Sequence, residues 1–146
     1  MVTDLAFRNA AEGRIINLLG CNDQLHTFSY VPDFGKLLAT LGTRDEAMGQ
    51  IWFTPSPAAV TQKELVQLIE AELGRPVKVL LARKTMMSLL GLFNKEMAET
   101  VEMLYEWTGP FVMDSGKAEK AFGWQGTPLK VAVKETLTWC KESVKK

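Results

Sequence analysis

The chain contains few of the residues from which metal and redox sites are built. Its 146 residues include one histidine and two cysteines, Cys21 and Cys140, which lie near opposite ends of the sequence. A zinc site uses four protein ligands, or three and a water molecule, so we expect no metal ion. Two distant cysteines form no disulfide framework, and Asp4 and Arg8 interrupt an N-terminal region that is unlike a signal peptide. We therefore expect a reducing, cytoplasmic location.

The chain also has no net charge and no long hydrophobic run. Lys and Arg total 17, as do Asp and Glu, so no net field attracts nucleic acid or an anionic membrane surface. The longest apolar run, residues 86–93, is far shorter than the roughly 20 residues of a membrane-spanning helix. With 47% hydrophobic and 23% charged residues, the composition indicates one globular domain over residues 1–146, with no nucleic-acid or membrane partner.

Motifs for phosphate binding and acid–base catalysis are missing as well. The eleven glycines never give the G-x-G-x-x-G spacing by which a backbone approaches a dinucleotide pyrophosphate. The segment 115–117 resembles the end of a phosphate-binding loop, but Phe111 stands where that loop needs its first glycine. Glu96, Glu99 and Glu102 have the spacing of one solvated helix face. We assign no catalytic residue.

Short strands alternate with helices along the chain. The β-branched and aromatic runs at 14–19 and 27–31 flank turn residues and predict a hairpin. The apolar run 50–54 predicts a strand buried on both faces of a parallel sheet, and 77–82 predicts another strand. The pattern indicates an α/β to α+β fold that is rich in helix and has few short strands.

Capping residues delimit the predicted helices. Thr61 and Glu64 form a capping box for a helix that Gly74 ends. The other helices have similar boundaries: Pro32 and Asp33 through Leu41 with a stop at Gly42, a region from Thr85 to Trp107 divided at Gly91 and Asn94, a short helix capped by Asp114 and stopped by Gly123, and an amphipathic helix opened by Thr127 and Pro128 that carries Trp139.

Four blocks in order resemble the C-terminal part of the extended short-chain dehydrogenases, the NAD-dependent epimerase/dehydratase family. They are residues 26–33 (HTFSYVPD), 51–74, 74–83 and 114–139, and the resemblance extends from about Gly13 to Lys141. It implies the substrate-side portion of a Rossmann-like fold without its nucleotide-binding half, which the chain starts too late to contain. The cofactor of a full-length member is NAD or NADP, and we expect this chain alone to bind neither.

The family's Tyr-x-x-x-Lys pair is absent too, since Phe34 lies four residues after Tyr30 and Gly109 lies four after Tyr105. The resemblance therefore implies the substrate-side portion of an NAD(P)-dependent epimerase/dehydratase-like oxidoreductase that is not catalytically competent alone. The alternative is a stand-alone, non-catalytic domain for small-molecule binding or assembly that is derived from the same fold. Both hypotheses predict the same residues.

The resemblance also suggests substrate-binding residues. His26 falls where members that act on nucleoside-diphosphate sugars carry an arginine, and Arg83 falls near a second arginine that meets the diphosphate. The acidic residue that follows in those enzymes is replaced here by Thr85-Met86-Met87.

The methionine-rich region 86–107 has two interpretations. As a pocket it would hold an apolar small-molecule substrate, with Met87 and Tyr105 in contact with it. The other interpretation is an ordinary buried or oligomer-forming helix.

The predicted strand 50–54 finally suggests a homo-oligomer, most simply a two-fold dimer. Its flanking strands in the resembling family belong to the absent half, and an unpaired strand is a template for a second copy. Rearrangement of the strands 14–19, 27–31 and 77–82 around it within one chain is the alternative.

Overall fold

The computed structural model describes residues 3–82, 84–92 and 95–144, and helices predominate in it. No strand in this part of the chain is longer than four residues, which confirms the predicted helix-rich fold with few short strands. A π-helical turn, Thr3–Arg8, opens the chain, and Asp45–Ala47 is a 3-10 turn. The remaining elements are α1 (Asn9–Ala11), β1 (Ile16–Leu19), β2 (Leu25–His26), α2 (Val31–Gly42), β3 (Val60–Thr61), α3 (Gln62–Leu73), β4 (Val79–Ala82), α4 (Lys84–Gly91), α5 (Lys95–Met103), α6 (Tyr105–Thr108), α7 (Gly116–Phe122) and α8 (Leu129–Val144).

The strands form two separate pairs. Strand β1 pairs in parallel with β4, with Ile16 opposite Val79 and Leu19 opposite Ala82. Strand β2 pairs antiparallel with β3. Helix α3 lies in the crossover that a parallel pair requires, which gives a small βαβ unit.

The predicted hairpin between residues 14–19 and 27–31 is therefore wrong. The side-chain amide of Gln62 donates to the carbonyl oxygens of Leu19 (2.9 Å) and Cys21 (2.6 Å) and ties the predicted turn to the start of α3. The chain is thereby directed away from β1. Residues 27–30 are extended but belong to no strand, because Thr27 bonds instead to the segment that follows α6.

The predicted strand at 50–54 is also wrong. Trp52 turns inward, where its indole N–H donates to the carbonyl oxygen of Ala47 (2.9 Å) and its ring packs on Phe122 with centroids 4.7 Å apart. Ile51 is 79% exposed, and its carbonyl oxygen accepts from the Lys117 ammonium at 3.0 Å. Trp52 thus anchors this apolar run as a loop. The strand edge from which a dimer was expected therefore does not form.

Several helix boundaries follow the predicted caps, but α2 includes Gly42, its predicted stop, and has Thr43 as its C-cap. The hydroxyl of Thr61 accepts from the N–H of Glu64, whose carboxylate accepts from the N–H of Thr61 in return. Gly74 and Gly123 end α3 and α7 in the left-handed conformation, with φ of 66° and 71°. Asp114 accepts from the N–H of Gly116 (2.8 Å), the first residue of α7. The capping box and the two glycine stops are confirmed, whereas the N-cap of α7 is Ser115 rather than Asp114.

Two clusters of buried side chains hold the elements together. The larger one joins the N-terminal helical segment, β1, α3 and α8, and its largest fully buried side chains include Ile16, Ile69, Leu137 and Cys140. The smaller one joins β1 and β4 to the predicted helical region 85–107, which divides after Gly91 as expected. The second predicted division, Asn94, lies outside the described residues.

The turn after β1 depends on a close backbone approach. Gly20 has a φ of +68°, and its N–H donates to the carbonyl oxygen of Ala82 (3.1 Å). A Cβ atom at this position would lie 2.7 Å from the Trp107 carbonyl oxygen. The N–H of Cys21 donates to that same oxygen at 3.0 Å. The absence of a side chain at Gly20 thus allows the Trp107 backbone to lie against this turn.

Substitution of Gly20 tests this approach. Gly49 has nearly the same φ, +67°, but open space around it, so Gly49→Ala should lose only the roughly 1–2 kcal/mol of a left-handed alanine. We expect Gly20→Ala to lose more, because the Trp107 backbone must also move. Urea denaturation of both variants measures the difference, and equal losses would contradict a tight contact at Gly20.

Candidate functional site

A cleft of about 660 Å³ opens between the extended segment 27–30, the start of α2 and one face of α8. This volume is within the range of small-molecule sites, which is roughly 300–1,000 Å³. Its walls are mostly apolar, and six are aromatic: Phe7, Phe28, Tyr30, Trp107, Phe111 and Trp139. Its polar lining residues are His26, Thr27, Ser29, Glu106, Glu135 and Thr136. Arginine and lysine are absent from the described residues that line it.

One buried carboxylate joins the two long helices that border the cleft. Asp33, in the first turn of α2, accepts from the N–H of Thr127 (2.7 Å) and from its hydroxyl (2.9 Å). Thr127 was expected to cap α8, but its hydroxyl donates to Asp33 instead. Pro128 immediately precedes α8, and its carbonyl oxygen accepts from Val131 and Ala132. The starts of α2 and α8 are thereby held together.

His26 forms part of the inner wall, where only 4% of it is exposed. Its Nδ1 lies 3.0 Å from the carbonyl oxygen of Gln24, and its Nε2 lies 2.8 Å from that of Glu106. Both ring nitrogens therefore face main-chain acceptors, and a neutral ring can donate to only one of them. The imidazole also stacks on Trp107, with centroids 5.0 Å apart. What His26 offers a ligand is its ring rather than a hydrogen bond.

The segment after α6 completes this wall by pairing with β2 and Thr27. The N–H of Phe111 donates to the carbonyl oxygen of Leu25 (2.8 Å), and the carbonyl oxygen of Phe111 accepts from the N–H of Thr27 (2.9 Å). The hydroxyl of Thr27 accepts from the N–H of Met113 (3.0 Å). These bonds hold the Phe111 ring beside the cleft.

The opposite wall contains a phenol–carboxylate pair. The Tyr30 hydroxyl donates to Oε2 of Glu135 at 2.5 Å, across a separation of 105 residues. Trp139 lies one helical turn after Glu135, so the carboxylate and the indole share one face of α8. Burial, with the hydrogen bond and the negative charge of Glu135 and a smaller effect of Asp33, raises the pKa of Tyr30 from 10.0 to about 12. The phenol therefore stays protonated and keeps donating.

The overall structure is similar to several solved enzymes of one kind. A UDP-glucuronic acid 4-epimerase from Bacillus cereus, solved with UDP-glucuronic acid and NAD, aligns with 98% of this chain at a TM-score of 0.70 and 13% identity. The corresponding values are 99%, 0.68 and 15% for a dTDP-glucose 4,6-dehydratase from Bacillus anthracis in complex with NAD. For a UDP-N-acetylglucosamine 4-epimerase from Bacillus cereus they are 97%, 0.63 and 18%.

The fold is that of the C-terminal part of the NAD-dependent epimerases and dehydratases. It is the fold that the four sequence blocks predict. The chain spans about two fifths of the length of these enzymes, 40% or 41% in each case. No family model and no curated relative matches the sequence.

Of the four predicted substrate-binding residues, the structure brings one to the cleft. His26 lines it, whereas Met87 is buried in the smaller core cluster with Leu104 and does not. Tyr105 is 72% exposed and lies outside the cleft lining. Arg83 lies outside the described residues. The methionine-rich region contributes Glu106 and Trp107 to the cleft, while Met87, Val101 and Leu104 pack in the smaller core cluster.

Tyr30 and Glu135 were not among the predicted substrate-binding residues. Tyr30 belongs to the block 26–33, and Glu135 stands four residues before Trp139 on a predicted amphipathic helix. Both residues lie in segments that the sequence predicts, but nothing in the sequence indicated that the two side chains meet.

The described residues form neither a metal site nor a membrane-spanning helix. No three His, Cys, Asp or Glu side chains within the described ranges come together as a group that could hold a metal ion. Within the same residues, none of the helices is long and apolar enough to cross a membrane.

The raised pKa of Tyr30 predicts a loss of stability in alkali. Below pH 10 the phenol is protonated in both states, and its contribution to folding is fully present. As the pH rises through about 12, the unfolded chain releases this proton first and that contribution disappears. Tyr30→Phe should therefore lose less stability over this window than the unaltered protein, as measured by urea denaturation at each pH. Tyr105→Phe is the control, and if Tyr30→Phe behaves like it, the Tyr30–Glu135 pair does not hold the proton.

Proposed function

We propose that this chain is the substrate-side portion of an NAD(P)-dependent epimerase/dehydratase-like oxidoreductase and is not catalytically competent alone. The cleft is the observation that carries the proposal. It is built from the block 26–33 and the block 114–139, two of the segments whose sequence resembles the family. The fold likeness over nearly the whole chain supports it, since two of the similar enzymes were solved with NAD bound.

The cofactor, in this proposal, is held by residues outside this chain. A dinucleotide pyrophosphate is bound by backbone N–H groups behind a glycine-rich turn. The sequence has no such turn, and it has no Tyr-x-x-x-Lys pair for hydride transfer. Its own contribution is a wall that contacts the substrate.

The chemistry of that wall favours an apolar small molecule over a diphosphate sugar. Diphosphates are bound by arginine forks, lysines or helix N-termini. The described lining of the cleft offers two glutamates and no lysine or arginine, and six of its residues are aromatic. The start of α2 at its edge carries Pro32, which has no N–H, and the acidic Asp33. The epimerase from Bacillus cereus, by contrast, was solved with UDP-glucuronic acid.

The second candidate is a stand-alone domain for small-molecule binding or assembly. The volume of the cleft supports this candidate equally, because a site of this size can bind a small molecule without a cofactor. The two candidates differ in whether a nucleotide-binding partner is required for activity. In either case we expect a cytoplasmic protein, given its two widely separated cysteines.

Binding measurements on the purified chain test the proposed site. We expect no measurable binding of NAD or NADP by calorimetry, and saturable binding of the uncharged apolar dye Nile red. Thr136→Trp should abolish dye binding because Thr136 lines the cleft, whereas the exposed Thr138→Trp should leave it unchanged. Micromolar affinity for either cofactor would contradict the missing nucleotide site. Dye binding that survives Thr136→Trp would show that the cleft is not the site.

Exposed apolar side chains on α2 still favour self-association, although the strand 50–54 does not form. Val31, Phe34 and Leu38 lie on one face of α2 and are 74%, 49% and 53% exposed. We propose that a second copy covers this stripe, in the two-fold arrangement of most small homo-oligomers. Leu38→Lys should then shift the sedimenting species toward the 16.3 kDa monomer, and the neighbouring Ala39→Lys should not. A monomeric unaltered protein at micromolar concentration would refute the dimer.

A further inference from the structure

Trp139 differs from the other three tryptophans in what covers its ring. The ammonium groups of Lys117 and Lys36 lie 4.1 Å from the ring centroids of Trp52 and Trp124. Trp107 is stacked on His26. Trp139 is 53% exposed, and no described residue places a cation or a ring on it.

A carboxylate stands beside this uncovered ring. Glu135 lies one helical turn before Trp139, which puts their Cβ atoms about 5–6 Å apart on the same face of α8. Both residues line the cleft. The positions three and four residues away from Glu135 on either side are Val131, Ala132, Thr138 and Trp139, and none of them is a lysine or arginine. Lys134 adjoins Glu135 in the sequence but does not line the cleft.

Among the described residues, the Glu135 carboxylate is hydrogen-bonded through one of its two oxygens. Its Oε2 accepts from Tyr30 at 2.5 Å, and in the described part of the chain no hydrogen bond or ion pair is recorded for Oε1. A neutral phenol leaves the negative charge of the carboxylate intact. Tyr30 and Trp139 also line the cleft with aromatic rings, and the faces of such rings attract an ammonium group.

We propose that the corner formed by Tyr30, Glu135 and Trp139 binds the positively charged nitrogen of an organic cation whose apolar body fills the rest of the cleft. This rests on the proposed function, because it names the class of small molecule that the same cleft takes. An ammonium or quaternary ammonium group meets the ring faces and the carboxylate together. The aromatic and aliphatic walls accommodate the apolar remainder.

The opposite charge finds no such partner. An anionic ligand would meet Glu135 directly and would have no described lysine or arginine in the cleft wall to offset it. His26 does not change this, because both of its nitrogens face main-chain oxygens. The cleft should therefore select by charge among ligands of equal size.

Three probes with one aromatic body measure this selection: naphthylmethyl-trimethylammonium, naphthylethanol and naphthylacetate, titrated into the purified chain by calorimetry. We expect the cation to bind about three- to tenfold more tightly than the alcohol, the range that one partly exposed cation–π contact and one partly exposed ion pair provide. The acid should bind more weakly than the alcohol.

Two variants locate the effect. Glu135→Gln keeps an acceptor for the Tyr30 hydroxyl and removes the charge, so the cation should lose its advantage while the alcohol binds as before. Trp139→Leu should reduce the same advantage. Glu142→Gln, exposed on α8 and outside the cleft lining, is the control for net charge and should change nothing. Thermal unfolding confirms that each variant is folded.

The outcomes separate this inference from the function on which it rests. If the cation binds no better than the alcohol, or if Glu135→Gln weakens all three probes equally, the cation site is refuted while the small-molecule cleft stands. If none of the three probes binds, the cleft is not a small-molecule site, and both proposals fail.

Discussion

The bond between Asp33 and Thr127 is the constraint on which the cleft depends. Asp33 is buried, with 7% of the residue exposed, and its carboxylate needs donors because a buried and unpaired charge is strongly unfavourable. Thr127 supplies two donors across 94 residues of sequence. Because hydrogen bonds to a charged group contribute about 1.5–3 kcal/mol each, this contact strongly favours one relative placement of the starts of α2 and α8. The position of Tyr30 opposite Glu135 follows from that placement.

The two walls of the cleft differ in what they leave for a ligand. On the inner wall, the side-chain polar atoms of His26 and Thr27 face main-chain groups, so this wall presents aromatic rings to the cleft. On the α8 wall, one oxygen of the Glu135 carboxylate accepts from the Tyr30 hydroxyl. Among the residues described, no ring or cation lies on the face of Trp139. An apolar site with a few oriented polar groups is the usual form of a small-molecule pocket. For the proposed ligand site, we therefore expect the side chains of α8 to decide specificity.

The likeness to the epimerases and dehydratases concerns the backbone more than the chemistry of the cleft. The alignment covers almost the whole chain, yet identities of 13–18% leave most side chains different. A fold of this kind can position many different sites, and function is decided by the side chains that face the ligand. In the block 26–33, Asp33 lies in the first turn of α2 and His26 forms part of the inner wall of the cleft. The fold is thus shared, while the side chains that line the cleft decide which ligand it binds.

The sequence alone determined the features that depend on near neighbours. The capping box of Thr61 and the left-handed stops at Gly74 and Gly123 were predictable because each involves groups within a few residues of one another. The order of the four blocks indicated the fold as well. Tertiary structure decided which extended segments pair, and it turned the apolar run 50–54 into a loop anchored by Trp52. It also joined Tyr30 to Glu135, because the energy of such a contact comes from burial and geometry that no local pattern encodes.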